Sequence, residues 1–227
     1  MNSKKPMKKI VSCLFLAMSV TACGAGGGSN IDDSSEGQQS QEAQPARWKK
    51  LPIEYKIAST VPTLYHEEIH AGFQAWNQAA GKSIFIFGGI KNLQEDELAP
   101  DYTVNQNVVL TTDRSGVAST GADASTVSGP LARTFLYGLS EIHDADIYLF
   151  EFNRNFVEGR SDTGDVYSIK SVVMHEAGHM LFGPEHSQDV ESIMTAVLYP
   201  KGHPQEKLEL GLLDIAQLRS VYAHDLL

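Results

Sequence analysis

Apolar and polar residues alternate in IEYKIA at 53–58, the period of a half-buried strand. Pro62 punctuates, and from there to about Ala80 the apolar spacing becomes helical. Ile69, Phe73, Trp76 and Ala80 share one side of that helix, with Phe73 and Trp76 placed to bury it against a sheet. SIFIFGG at 83–89 predicts a second strand ending in glycines, and QNVVLTT at 106–112 a buried third. LARTFLYG at 131–138 and IHDADIYLFEF at 142–152 predict two more strands, joined by a short turn around Leu139–Glu141. Val166, Ile169, Val172, Val173 and Leu181 then mark a long, mostly buried helix, and a last helix falls near Leu212–Ala223. Acidic residues 90–105 and the stretch SGVASTGADASTVSG at 115–129 read as irregular. The order β-α-β-β-β-β-α-α predicts an α+β domain on a mixed, largely sequential sheet.

The first residues have a different texture. Lys4, Lys5, Lys8 and Lys9 precede the apolar run IVSCLFLAMSV, which is too short for a stable bilayer span and fits the core of a signal peptide. VTAC at 20–23 resembles a bacterial lipobox, which makes residues 1–22 a lipoprotein-type signal peptide and Cys23 the lipidated first residue of the mature protein. An ordinary signal peptide cut nearby, or a buried helix, are the alternatives. Residues 24–46 hold almost nothing that could be buried, so 23–46 reads as a lipid-bearing flexible linker. From Arg47 the texture changes, with Trp48, Leu51, Ile53 and Tyr55, and 47–227 is long enough for one well-buried domain. The expected location is the cell envelope, anchored to a lipid membrane; in a Gram-negative cell Gly24 after the cysteine points to the outer membrane.

Charge and cysteine content narrow the chemistry. The chain carries 28 acidic against 18 basic residues, a net charge of −10, and loss of the four signal lysines makes the mature protein more acidic still. That argues against nucleic acid as a partner. Cys13 leaves with the signal and Cys23 carries lipid, so the domain has no disulfide, thiolate metal site or cysteine nucleophile.

The chain writes H-E-x-x-H twice, as HEEIH at 66–70 and HEAGH at 175–179. The first copy flanks the apolar stripe of its helix near the helix start, where Glu67 and Glu68 suit the positive end of the dipole. No third ligand follows it, since the residue six after His70 is Trp76, and it reads as ordinary helix surface. In the second copy, His175 and His179 lie about one turn apart on one face and can share an ion. Ala177 and Gly178 are small enough for something to pack close. Gly183 offers a left-handed helix end and Pro184 forbids continuation, so the chain turns back and delivers His186. Three imidazoles leave one position of a tetrahedral zinc ion open for water, with Glu176 beside the ligands to take that water's proton.

These residues resemble the metzincin zinc proteases, and within them the matrixin-like group. The family pattern H-E-x-x-H-x-x-G-x-x-H and its Met-turn are matched by HEAGHMLFGPEHS and by ESIMT at 191–195, with Met194. WKKLPIEYKI, EEIHAGFQAWNQ, PLARTFLYG with HDADIYLF, and LLDIAQLRSVY look like the family's first strand, first helix, edge strand with its neighbour, and closing helix. The resemblance implies a twisted, mainly five-stranded mixed sheet, a long active-site helix, a Met-turn and a C-terminal helix. It implies one catalytic zinc on His175, His179 and His186, Glu176 as general base, Met194 as an apolar floor, and internal cleavage of a protein or peptide substrate. Leu131, Ala132, Arg133 and Thr134 would lie on the strand that binds extended substrate by strand addition. A monomer is expected, and the missing prodomain cysteine implies no cysteine switch.

The chain departs from the family in one respect. Gly183 and His186 fall four and seven after His179 instead of three and six, so one residue, most simply Phe182, is extra. Either the Gly183–Pro184–Glu185 loop absorbs it, or Glu185 or the more distant Asp189 replaces His186 as ligand. Where some metzincins carry a zinc-reaching Tyr, this chain has Ala196; Tyr199 is left to line a pocket or to pack. Calcium is a further candidate, through DADIY or the acidic 90–101 stretch. Two other classes stay open: a zinc-binding envelope lipoprotein impaired in hydrolysis, and an adhesion or binding module with structural metal.

Overall fold

The computed structural model describes residues 47–93, 107–112, 131–138, 141–150, 156 and 165–226. The signal segment 1–22, Cys23, the linker to 46, most of the acidic stretch and all of the Gly/Ser/Thr loop at 115–129 lie outside them. No described helix is long and apolar enough to cross a membrane.

The elements are β1 (Ile53–Ala58), α1 (Thr63–Ala80), β2 (Phe85–Lys91), β3 (Val108–Thr112), β4 (Ala132–Tyr137), β5 (Asp144–Phe150), α2 (Ile169–Phe182), α3 (Leu212–Val221) and the short α4 (Ala223–Leu226). The α+β class and the mixed five-stranded sheet are as expected. The order along the sheet is not sequential: it runs β2-β1-β3-β5-β4, with only the β4–β5 pair antiparallel. Parallel neighbours cannot be joined by tight turns, so each needs a crossover, and α1 makes the one between β1 and β2. β2 does not end at its glycines but runs on through them to Lys91, paired with Ala58. The second long helix starts at Ile169, not Val166, because Ser168 caps it and accepts from the Ser171 amide at 3.2 Å.

The sheet register settles which face each strand turns to the helices. Ile57 lies opposite Val109, Val109 opposite Ile147, and Ile147 opposite Thr134, so these four side chains share one face. Tyr55, two residues before Ile57, is on that same face and stacks on Phe73 of α1 with ring centres 3.8 Å apart. Phe73 therefore meets the sheet as expected, whereas Trp76 turns to α2. Its Nε1 donates to the Met174 carbonyl at 2.8 Å and its ring meets Phe182 edge-on.

α2 is buried on every side except at Lys170, which sets it at the centre of the core. Its last carbonyls find partners far along the chain: Trp48 Nε1 donates to Met180 at 2.7 Å and the Tyr222 hydroxyl to Leu181 at 2.9 Å. The two ends of the domain thus close around one end of α2. Tyr222 also interrupts the last predicted helix, dividing it into α3 and α4.

Candidate metal centre

His175 and His179 leave the same face of α2, one turn apart. Each Nδ1 meets a main-chain carbonyl, His175 that of Ile193 at 2.7 Å and His179 that of Gly183 at 2.9 Å. A carbonyl only accepts, so each Nδ1 carries a proton, which leaves Nε2 as the nitrogen that can bind a metal. Those two Nε2 atoms stand 3.0 Å apart. His186 joins them, its ring centre 5.3 Å from that of His175 and 4.9 Å from that of His179. One ligand atom from each of the three lies within 4.8 Å of the others. Burial lowers the pKa of His175, and burial followed by the neighbouring His179 lowers that of His186, so the neutral ring is favoured at both. Three converging imidazoles, two of them locked by hydrogen bonds from the opposite nitrogen, suit a divalent transition ion such as zinc.

The extra residue is absorbed inside the helix. α2 runs through Phe182, the Gly183 amide still reaching the His179 carbonyl at 3.0 Å, and Phe182 is buried against Trp76. Gly183 then turns the chain, but not in the left-handed helical conformation expected of it. Its φ of 93° and ψ of −169° are an extended form that only glycine adopts readily. Beyond His186 the Ser187 amide donates to the Met194 carbonyl at 2.8 Å, fixing this loop to the turn beneath. Among the described residues Glu185 and Asp189 are outside the cluster, and Asp189 is occupied with the Glu191 amide.

That turn carries Met194, which is buried against α2. A Cβ on Gly178 would come within 2.2 Å of the Met194 sulfur, so the turn can sit this close only because residue 178 has no side chain. The turn is held by Asp214 of α3, a residue the sequence reading passed over. Its buried carboxylate accepts from the Ser192 hydroxyl, from the Ile193 amide at 2.9 Å and from the Gly211 amide at 2.7 Å. The Ile193 peptide unit also supplies the carbonyl that orients His175. A carboxylate three residues after a glycine at a helix start was the available signal.

Glu176 is 5% exposed and opens onto a cleft of about 320 Å³. The three histidines share that cleft, walled by Leu131, Ala132, Arg133 and Thr134 on one side and Ala196 and Leu198 on the other. β4 is an edge of the sheet among the described strands. The Thr134 side chain, however, turns into the protein and donates to Glu176 Oε2 at 2.6 Å. Arg133, on the opposite face of the strand, stands 5.7 Å over the Phe135 ring. Tyr199 does not line the cleft; it stacks on His203.

His66 and His70 of HEEIH are half-buried on the flank of α1, each with a partner of its own. His70 Nδ1 receives the Tyr55 hydroxyl at 2.6 Å, and its ring packs edge-on against Phe87. His66 Nε2 reaches the Val61 carbonyl at 3.2 Å. Glu68 serves the start of α2, not of its own helix: Oε2 accepts from the Lys170 amide at 3.1 Å and the Ser168 hydroxyl at 3.3 Å. Asp144 and Asp146 of DADIY accept amides of Asn107 and Val108 at the start of β3. Burial, with Asp144 nearby, pushes Asp146 up to about 7.

A histidine pair on a buried helix, a third histidine on the returning chain and a methionine-bearing turn beneath are the arrangement that the resemblance to metzincins implied. The family profile for matrixin matches residues 47–223, and the chain belongs to the matrixin family; it is a zinc metalloprotease, and its substrates are proteins or peptides. No curated protein sequence matches the chain significantly. Among solved structures, the archaemetzincin of Methanopyrus kandleri superposes with a TM-score of 0.47 at 11% identity, over 75% of this chain and 96% of that chain. The assignment rests on the family match alone.

Proposed function

We propose that the protein is an endopeptidase in which His175, His179 and His186 hold one zinc ion and Glu176 is the general base. The observation that carries the reading is the convergence of three imidazoles with ligand atoms inside 4.8 Å, two of them locked through Nδ1 with Nε2 facing inward. Zinc bound there supplies Lewis acidity, lowering the pKa of a water and polarising a peptide carbonyl. Glu176 takes the proton of the attacking water and returns it to the leaving amine. Met194 and Gly178 keep the floor of the site dry and close-packed, and the outer edge of β4 lines up an extended peptide by strand addition.

We propose further that residues 1–22 are a lipoprotein signal, that Cys23 anchors the protein in the cell envelope, and that 23–46 tether the domain. The basic start, the short apolar run and VTAC support this. Membrane fractionation of Cys23→Ala should then find the domain released.

The deciding experiment compares wild type with Glu176→Ala for zinc content and for cleavage of an unfolded protein. Zinc is expected to be retained and cleavage lost. Equal cleavage by the two would remove Glu176 from the mechanism. Replacing His186 and Glu185 separately by Ala tests the third ligand; zinc released only by the Glu185 change would overturn the assignment.

A further inference from the structure

Thr134 lies on the strand expected to bind substrate, and its side chain lines the cleft on the face of the sheet turned to α2. The row Ile57, Val109, Ile147, Thr134 aims it at α2, and a register slip of one residue would point it the other way. Its hydroxyl lies 2.6 Å from Glu176 Oε2 and 3.0 Å from the Glu176 main-chain carbonyl. A threonine hydroxyl has one proton, and the shorter, charge-assisted bond to the carboxylate takes it. A glutamate has three side-chain torsions to fix. Among the described contacts of Glu176, this is the side-chain hydrogen bond that its carboxylate makes.

We propose that Thr134 is a positioning residue for Glu176. By holding Oε2 it fixes the carboxylate rotamer and leaves Oε1 as the oxygen that receives the proton of the attacking water. The second acceptor, the Glu176 carbonyl, keeps the hydroxyl satisfied if the carboxyl swings during turnover. β4 thereby serves the site twice, its main chain toward substrate and one side chain toward the base. This rests on Glu176 being the base.

The test compares Thr134→Val, which replaces the hydroxyl by a methyl of similar size, with Thr134→Ser, which keeps it. T134V is expected to bind stoichiometric zinc and to lose about tenfold or more in kcat on a peptide substrate, with KM within about twofold, because general-base help is worth about 10²–10⁴ and depends on orientation. T134S should recover most of that loss. In Glu176→Gln, adding T134V should cost nothing further. A readout independent of turnover comes from metal-free protein: T134V should lower the denaturation midpoint more in wild type than in Glu176→Ala, where no carboxylate is left to hold. Wild-type kcat in T134V with E176Q inactive would overturn the positioning role alone. Cleavage retained by E176Q would instead overturn the base assignment beneath it. If T134V does not fold, Thr134→Ala takes its place in each comparison.

Discussion

HEEIH and HEAGH share a spacing, a helical setting and adjacent places in one helix pair, but their surroundings differ. In HEEIH each histidine ends on a partner of its own: His70 on the Tyr55 hydroxyl, His66 on the Val61 carbonyl. In HEAGH both rings are held from behind by carbonyls and turn their free nitrogens toward one point, where His186 joins them. The spacing therefore only permits a shared ion. What makes a site is the set of acceptors that fix each ring nitrogen: the Gly183 carbonyl at the end of the same helix for His179, and the Ile193 carbonyl from the turn beyond His186 for His175.

The largest expected effect tests this contrast directly. His179→Ala should lose stoichiometric zinc, and with it cleavage, while His70→Ala keeps both; metal analysis of the purified variants decides. Zinc lost from H70A with H179A still loaded would reverse the roles of the two copies.

Next comes Asp214, the support that HEAGH has and HEEIH lacks. Asp214→Ala leaves the Ser192 hydroxyl and the Ile193 and Gly211 amides without their acceptor, and should cost about 3 kcal/mol by denaturant titration, since each buried group left unmatched costs about 1–3 kcal/mol. It should also weaken zinc binding, because the turn it holds carries the carbonyl that orients His175.

A smaller effect separates the copies by pH. Burial lowers the pKa of both His175 and His70, so each stabilises the fold above the ordinary histidine value of 6.5 and loses that contribution as pH falls through its depressed pKa. His175 is the more deeply buried. In metal-free protein, His175→Asn should reduce the acid-side loss of stability more than His70→Gln does, read from denaturation midpoints between pH 7.5 and 5, roughly bracketing the histidine range. Asp146 acts in the opposite sense, since a carboxyl raised to about 7 stabilises the fold at low pH and loses that contribution as pH rises to neutrality. Each variant is therefore compared with wild type at the same pH.

The smallest effect concerns the one acid of HEEIH that reaches α2. Glu68→Gln removes a charge from the start of the active-site helix and should cost about 0.5–1 kcal/mol with zinc content unchanged.

Much of this was legible in the residue order. Strand and helix positions followed from period, because alternation and 3.6-residue recurrence are local properties that burial imposes on consecutive residues. IEYKIA and α1 fall where their patterns place them. The HEAGH pair, the Gly183–Pro184 stop and the methionine turn could also be read, since their chemistry is written in short spacings. The partners of those elements were not legible. Which strand lies beside β1, that Trp76 faces α2, that Glu68 caps a helix a hundred residues away, and that Asp214 holds the turn are all long-range pairings. Nothing in a local window encodes them.

The extra residue before His186 shows the same division. By itself the sequence determined that a third histidine follows a helix stop one position late, and left the loop, Glu185 and Asp189 as ways to resolve it. Only the tertiary structure decided that Phe182 extends the helix, because a ring at that position has Trp76 to pack against and Gly183 can adopt the turn that brings His186 back. A third histidine in the chain is a matter of composition and spacing; its arrival beside the other two depends on packing, and packing is settled between residues that are distant in sequence.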